Sequence, residues 1–141
     1  MASLSINAVK QIVASFINGP HFDKVLNKLQ LVSAIPGKMV CEMKVEEEHI
    51  NVHGTLHGGV TATLVDFVST TALINTERGA PGVTVDMNIM YLSPAKIGDE
   101  ILITAQILKQ GRTLAFATVD VTNKATGKLI AQGRQTKHLG N

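Results

Sequence analysis

The sequence predicts an α+β domain: a curved antiparallel sheet of about six strands wrapped around one long central helix, with a short helix at the N-terminus. Three observations carry this. Between Glu48 and Glu77 the only formal charge is Asp66. Within that stretch Val60, Leu64, Phe67, Val68, Thr71 and Ala72 recur at 3.6-residue spacing, the pattern of a helix apolar on most sides and therefore buried. On either side lie β-rich runs joined by short Gly- and Pro-bearing turns, which favour antiparallel pairing. A sheet covering one such helix satisfies both burial needs with two layers.

The elements follow in order. Val9, Ile12, Val13 and Phe16 sit at helical intervals, and Asn18-Gly19-Pro20 ends that run. The segment "KLQLVSAIPGKMVCEMKVEEEH" reads as two strands about a turn at Pro36-Gly37, with fair alternation over 38–45. After a loop over 51–56 comes the long helix, which "RGAP" is expected to stop. "GVTVDMNIMYLSPAKIGDE" reads as a strand ended by Ser93-Pro94 and a Gly98-Asp99 turn. The remainder gives three strands with turns at Gln110-Gly111 and over 123–127, an antiparallel meander. There is no repeat, low-complexity tract or linker, so residues 1–141 are read as one domain. The outer face and the edges of such a sheet stay open while Val, Ile and Leu are plentiful, which predicts a homo-oligomer.

Composition narrows the function. The 141 residues are 45% hydrophobic and 17% charged, as in ordinary globular domains. A net charge of +2 and 4% aromatic residues supply neither the field nor the stacking platforms for nucleic acid. The single cysteine, Cys41, excludes a disulfide framework and lies in an alternating segment, so it is read as a core or sheet residue. No apolar run approaches the roughly 20 residues of a membrane span, so no transmembrane segment is expected. The first 22 residues lack a basic n-region followed by a long apolar block, so no secretory signal is expected. They are amphipathic with Lys10 as their only Lys or Arg, at most a weak mitochondrial address.

Two features can carry chemistry. A carboxylate at Asp66 costs several kcal/mol if buried without partners, and Thr63, Ser69 and Thr70 lie near enough on the helix to satisfy it. At His57-Gly58-Gly59 the helix begins with glycines, leaving N–H groups uncovered at its positive end, an arrangement suited to an anion or a developing oxyanion. His57 itself is open to three roles: cap, ligand or buried donor. His49, His53 and His57 fall across a strand-to-loop segment, and no metal site is expected from them. Gly58 and Asp66 are separated by roughly 12 Å along the helix axis, whereas a catalytic base must lie about 3 Å from its target. If both act on one carbonyl, two chains with antiparallel helices must supply one residue each, at a dimer interface.

"NVHGTLHGGVTATLVDF", then "GVTVDMNIMYLSPAKIGDEI", "ERGAPG" and the closing "KATGKLIAQGRQTKHLGN" together resemble the hot-dog-fold acyl-CoA thioesterases. The resemblance covers almost the whole chain, most weakly in the first twenty residues. Its most specific part is Asn-x-x-Gly-x-x-His-Gly-Gly, with an Asp eight residues past the first Gly of the pair. It implies a hot-dog fold, homodimers assembling to a homotetramer, and hydrolysis of medium- to long-chain fatty acyl-CoA to free acid and CoA in the cytoplasm and mitochondrion. No cofactor or metal is implied, CoA being part of the substrate. The matching residues are Asn51 and Gly58, polarising the thioester carbonyl, and Asp66 of the partner subunit, activating water. His57 lies by the leaving thiol. Where the family has a serine that orients the water, this chain has Thr84, which keeps the hydroxyl but stiffens χ1. CoA is implied along Thr84, Asp86 and Tyr91, the segment Lys109, Gln110, Gly111, Arg112, Thr113 and Leu114, and the end Lys137-His138.

The residues fit that chemistry. A thioester carbonyl becoming an oxyanion wants N–H donors at a helix start, and a thiolate leaves without a strong general acid. Two other readings keep the fold. A hydratase or dehydratase needs a His–carboxylate pair, but His57 precedes Asp66 by nine residues and no histidine follows it on the helix. A non-catalytic acyl-CoA or lipid-binding module would have no use for Asn51, Gly58 and Asp66 together.

Overall fold

The computed structural model describes residues 4–140. Two helices, α1 (Ile6–Ile17) and α2 (Gly58–Ile74), accompany six strands: β1 (Gln30–Ile35), β2 (Lys38–Lys44), β3 (Val83–Tyr91), β4 (Glu100–Gln110), β5 (Leu114–Asn123) and β6 (Leu129–His138). These are the expected elements of the hot-dog fold. Two short 3₁₀ turns, Phe22–Leu26 and Glu47–His49, were not legible in the sequence.

All five strand pairings are antiparallel, in the order β1-β2-β4-β5-β6-β3. β4, β5 and β6 form the predicted meander. β3 does not sit beside its chain neighbour β4 but crosses to the far edge, against β6. One side of β3 therefore has no strand beside it. That edge is long and apolar: Val83 is 71% exposed, Val85 60% and Met90 50%.

α1 begins at Ser5, whose side chain accepts from the Ala8 N–H, and buries Val9, Val13 and Ile17. α2 fills the sheet's concave side with Leu64, Val65, Val68 and Ala72, all fully buried. They pack against Met39, Cys41 and Met43 of β2, Ile101 and Ile103 of β4, and Val119 and Val121 of β5. Burial pushes the Cys41 thiol up to about 12, so it is a core residue and not a nucleophile at neutral pH. α2 stops before "RGAP". Asn75 caps it, its N–H donating to Thr71 O while its carbonyl accepts from Gly37 at the β1–β2 turn. Helix and sheet approach closely at Gly133 of β6, where an added Cβ would lie 2.7 Å from Val65 Cγ1. Among the described residues no helix is long and apolar enough to cross a membrane.

Candidate active site

The sheet sorts the expected site residues into two groups at opposite ends of β3. At one end, His57 caps α2: its Nδ1 accepts from the Gly59 N–H at 2.8 Å, and its carbonyl accepts from Val60 and Thr61. This resolves the three roles open to His57 in favour of the cap. The Gly58 N–H is the one donor of this first turn with no hydrogen-bond partner among the described residues. The Gly58 carbonyl is held from the other side, accepting from Tyr91 Oη at 2.8 Å. Tyr91 thus fixes the Gly58–Gly59 peptide, the one that follows the free N–H. The adjoining loop is organised by Asn51: its Oδ1 accepts from the N–H groups of His53 and Thr55, and its Nδ2 donates to Thr55 Oγ1 at 3.0 Å. These bonds use one of the two amide hydrogens and leave the other.

At the far end of β3 lies Asp66. Its Oδ1 accepts from Gln135 Nε2 at 2.6 Å and from Thr84 Oγ1 at 3.3 Å, with Lys137 Nζ 4.0 Å away. All three contacts fall on one oxygen, so Oδ2 is free of partners among the described residues and is the lone-pair side available to a water. The side chain is 51% exposed in the single chain. The helix hydroxyls expected to satisfy it do not touch the carboxylate. Thr63 donates to Gly59 O; Ser69 donates to Gln135 Oε1 and Asp66 O; Thr70 accepts from Lys137 at 2.7 Å. The physical reason is that α2 lies flat on the sheet, so donors from β6 and β3 reach the carboxylate before those one turn away on the same helix.

Gln135 is the residue sequence reasoning missed. It is 2% exposed and links Asp66, Thr84 and Ser69, its Nε2 also donating to Thr84 Oγ1 at 2.9 Å. The signal was present: alternation along β6 puts Gly133, Gln135 and Lys137 on the face toward α2, and two polar residues on a core face need a reason.

Register places His138, Leu114 and Val83 abreast on neighbouring strands, which brings the 109–114 turn to the Asp66 end. Arg78 clamps that turn by donating to the carbonyls of Gly111 and Arg112. Lys109, Arg112 and Thr113 are exposed there, Gln110, Gly111 and Leu114 half-buried. Two expected ligand residues differ. Asp86 pairs with Thr136, so it points to the sheet's outer face, away from Asp66. Lys137 is 6% exposed, its ammonium turned inward and not toward solvent. The three histidines do not converge: His49 is fully buried, its Nδ1 accepting from the Glu46 N–H and its Nε2 lying 3.1 Å from Val25 O. A groove of about 390 Å³, lined in part by Val13, Ile17, Leu29 and Leu31 beside α1, holds none of these site residues.

The chain is 67% identical to acyl-coenzyme A thioesterase 13 of Mus musculus over 141 residues, all of both chains. Its structure matches that of zebra fish thioesterase superfamily member 2 at a TM-score of 0.96 and 70% identity, covering 98% of this chain and 100% of that one. A Streptococcus mutans protein whose structure holds acetyl CoA is matched at a TM-score of 0.75 and 31% identity, over 80% of this chain and 89% of that one. Residues 53–130, more than half of the chain and including Gly58, Asp66 and Thr84, match the Thioesterase superfamily. The chain belongs to the thioesterase superfamily and has its hot-dog fold.

Proposed function

We propose that this protein hydrolyses medium- to long-chain fatty acyl-CoA thioesters to free acid and CoA, at a site completed across the two-fold of a homodimer, with two dimers forming a tetramer. The observation that carries this reading is the division of the site along β3. One chain holds the free Gly58 N–H at the Tyr91 end of the strand and the Asp66 carboxylate at its Thr84 end. Antiparallel pairing of two β3 edges lays the Val83 end of one strand beside the Tyr91 end of the other. Each carboxylate then faces the helix start of the second copy. The same pairing satisfies the open backbone groups of the β3 edge and removes water from around Asp66. Relatives named for acyl-coenzyme A hydrolysis and a relative holding acetyl CoA supply the substrate class.

In the mechanism, the thioester carbonyl accepts from the Gly58 N–H and the free Asn51 amide hydrogen. Asp66 Oδ2 takes a proton as water attacks the carbonyl carbon. The tetrahedral oxyanion is stabilised by the same two donors, aided by the positive end of α2. Collapse breaks the C–S bond and releases CoA thiolate, which takes the proton held on Asp66 through solvent, so that the acid and the thiol leave and the carboxylate is regenerated. His57, with Nδ1 occupied by the Gly59 N–H, presents its other ring nitrogen beside the sulfur. Thr84 orients the water through its hydroxyl. Lys109, Arg112 and His138 flank the CoA end. Side chains, backbone and water suffice, so no resident cofactor is invoked, and the reaction is assigned to cytoplasm and mitochondrion.

The test is release of free CoA from a series of acyl-CoA chain lengths by the unmutated protein and Asp66→Asn. Turnover lost in the variant while the fold persists supports the reading and gives the chain preference. Acyl-CoA bound but not cleaved by either protein makes this a binding module. Single turnover in labelled water separates base from nucleophile: label entering Asp66 first would make the carboxylate the nucleophile.

A further inference from the structure

Lys137 has no business facing solvent phosphates from where it lies. Its side chain is 7% exposed, its Nζ donates to Thr70 Oγ1 at 2.7 Å, and that nitrogen is 4.0 Å from Asp66 Oδ1. The stem is covered by Gly82, a glycine at φ +64° where an added Cβ would come within 3.2 Å of Lys137 Cβ. Burial draws its pKa below the ordinary 10.5, and the Asp66 carboxylate draws it back up. Among the described residues Asp66 is the only carboxylate within 4.0 Å of its ammonium. Its neighbours are Gly82, just before β3, Val83 and Thr84 of β3, and Ala115 of β5, none of them titratable. On β6, His138 points to the opposite, exposed side. A buried ammonium with one hydroxyl partner and a carboxylate 4.0 Å away costs stability, a cost that a functional role offsets.

We propose that Lys137 is a positioning residue of the hydrolytic site, the internal cation that holds the Asp66 carboxylate by Oδ1 against β6, and not a ligand of CoA phosphates. This rests on the reading of Asp66 as the group that activates water. Gln135 and Lys137 act on the same oxygen. Together they fix the carboxylate's rotation and leave Oδ2 toward the water. The sign of the pH effect follows from the lowered pKa. As pH rises through it, Lys137 loses its charge, the hold on Asp66 weakens, and turnover falls on the alkaline side, below the ordinary lysine range.

Lys137→Met, which keeps the stem and removes the charge, is compared with the unmutated protein on acyl-CoA and on the same thioester lacking the 3′-phosphate. We expect kcat to fall about tenfold or more with KM changed less than about threefold, the alkaline limb to vanish, and the penalty for the missing phosphate to be the same in both proteins. A rise in KM with loss of that penalty would make Lys137 a phosphate ligand and overturn the proposal, as would an unchanged kcat. Should Lys137→Met fail to fold, the coupling is read from the other side, since linkage is reciprocal. The Nζ of Lys137 is titrated by NMR in the unmutated protein and in Asp66→Asn. Its pKa must fall further in the variant; an unmoved pKa sinks the proposal. An active Asp66→Asn would sink the reading of the site itself, whereas an inactive one beside an unaltered Lys137→Met sinks only the role of Lys137.

Discussion

Gln135 shows how much of this site depends on one buried amide. It orients Asp66 and Thr84 at once through Nε2 and is itself fixed by Ser69 through Oε1. Gln135→Leu keeps the volume and removes both functions. We expect kcat to fall by about 10²-fold with little change in KM, since a carboxylate misplaced by an ångström loses about that much. Stability should drop by about 1 kcal/mol, because the buried Ser69 hydroxyl loses Gln135 and keeps only Asp66 O as acceptor. Steady-state kinetics beside a thermal melt checks both, and a stability loss with unchanged kcat would reduce Gln135 to a core residue. At this scale the sequence was partly legible. Asp66 stood out as the sole charge in an uncharged segment, and His57-Gly58-Gly59 as a helix start with bare N–H groups. What could not be read was which strand reaches which side chain. Asp86 and Lys137 are two positions of the resembled ligand set, but strand alternation and the β3 bulge between Thr84 and Asp86 send one outward and the other inward. Spacing along a chain carries no such information until the register is known.

Element boundaries were legible where turn chemistry marks them. Pro36-Gly37 and Gln110-Gly111 lie at the predicted strand ends, and Asn18 caps α1. The 3₁₀ turn at Glu47–His49 was not, because it depends on Glu46 and His49 capping each other, a reciprocal pairing invisible to periodicity. The seat of α2 was not either. It is set by Gly133, the only inward residue of β6 without a side chain, beneath Val65. A methyl added there forces helix and sheet apart. Gly133→Ala should destabilise the fold by about 1–3 kcal/mol through overpacking, and Val65→Ala in the same chain should recover part of that loss. Urea denaturation of the two single variants and the double variant measures the coupling. Strict additivity would mean that the two residues do not meet as described.

For the whole molecule, hydrophobic patterning foresaw a helix inside a curved sheet, and the spacing of Gly58 and Asp66 along that helix is the ground for proposing a site shared by two chains. The strand order was the part left open. Short turns specify β4-β5-β6, but nothing local specifies that β3 crosses to the far edge, because that choice is made by which apolar face covers α2. The crossing makes β3, the strand that runs from the Asp66 end to the Gly58 end, an open edge, and the proposed dimer uses that edge. The central claim is therefore that each active site takes Asp66 from one subunit and Asn51 and Gly58 from the other. Subunit mixing tests it most directly. Asp66→Asn and Asn51→Ala proteins, each inactive alone, are denatured together, refolded and assayed for CoA release, with hybrid dimers counted by native mass spectrometry. A shared site predicts recovery of roughly a quarter of the unmutated activity, one intact site in each hybrid dimer at statistical mixing. Hybrid dimers that form in full and remain inactive would contradict it, placing both halves of the chemistry in one chain.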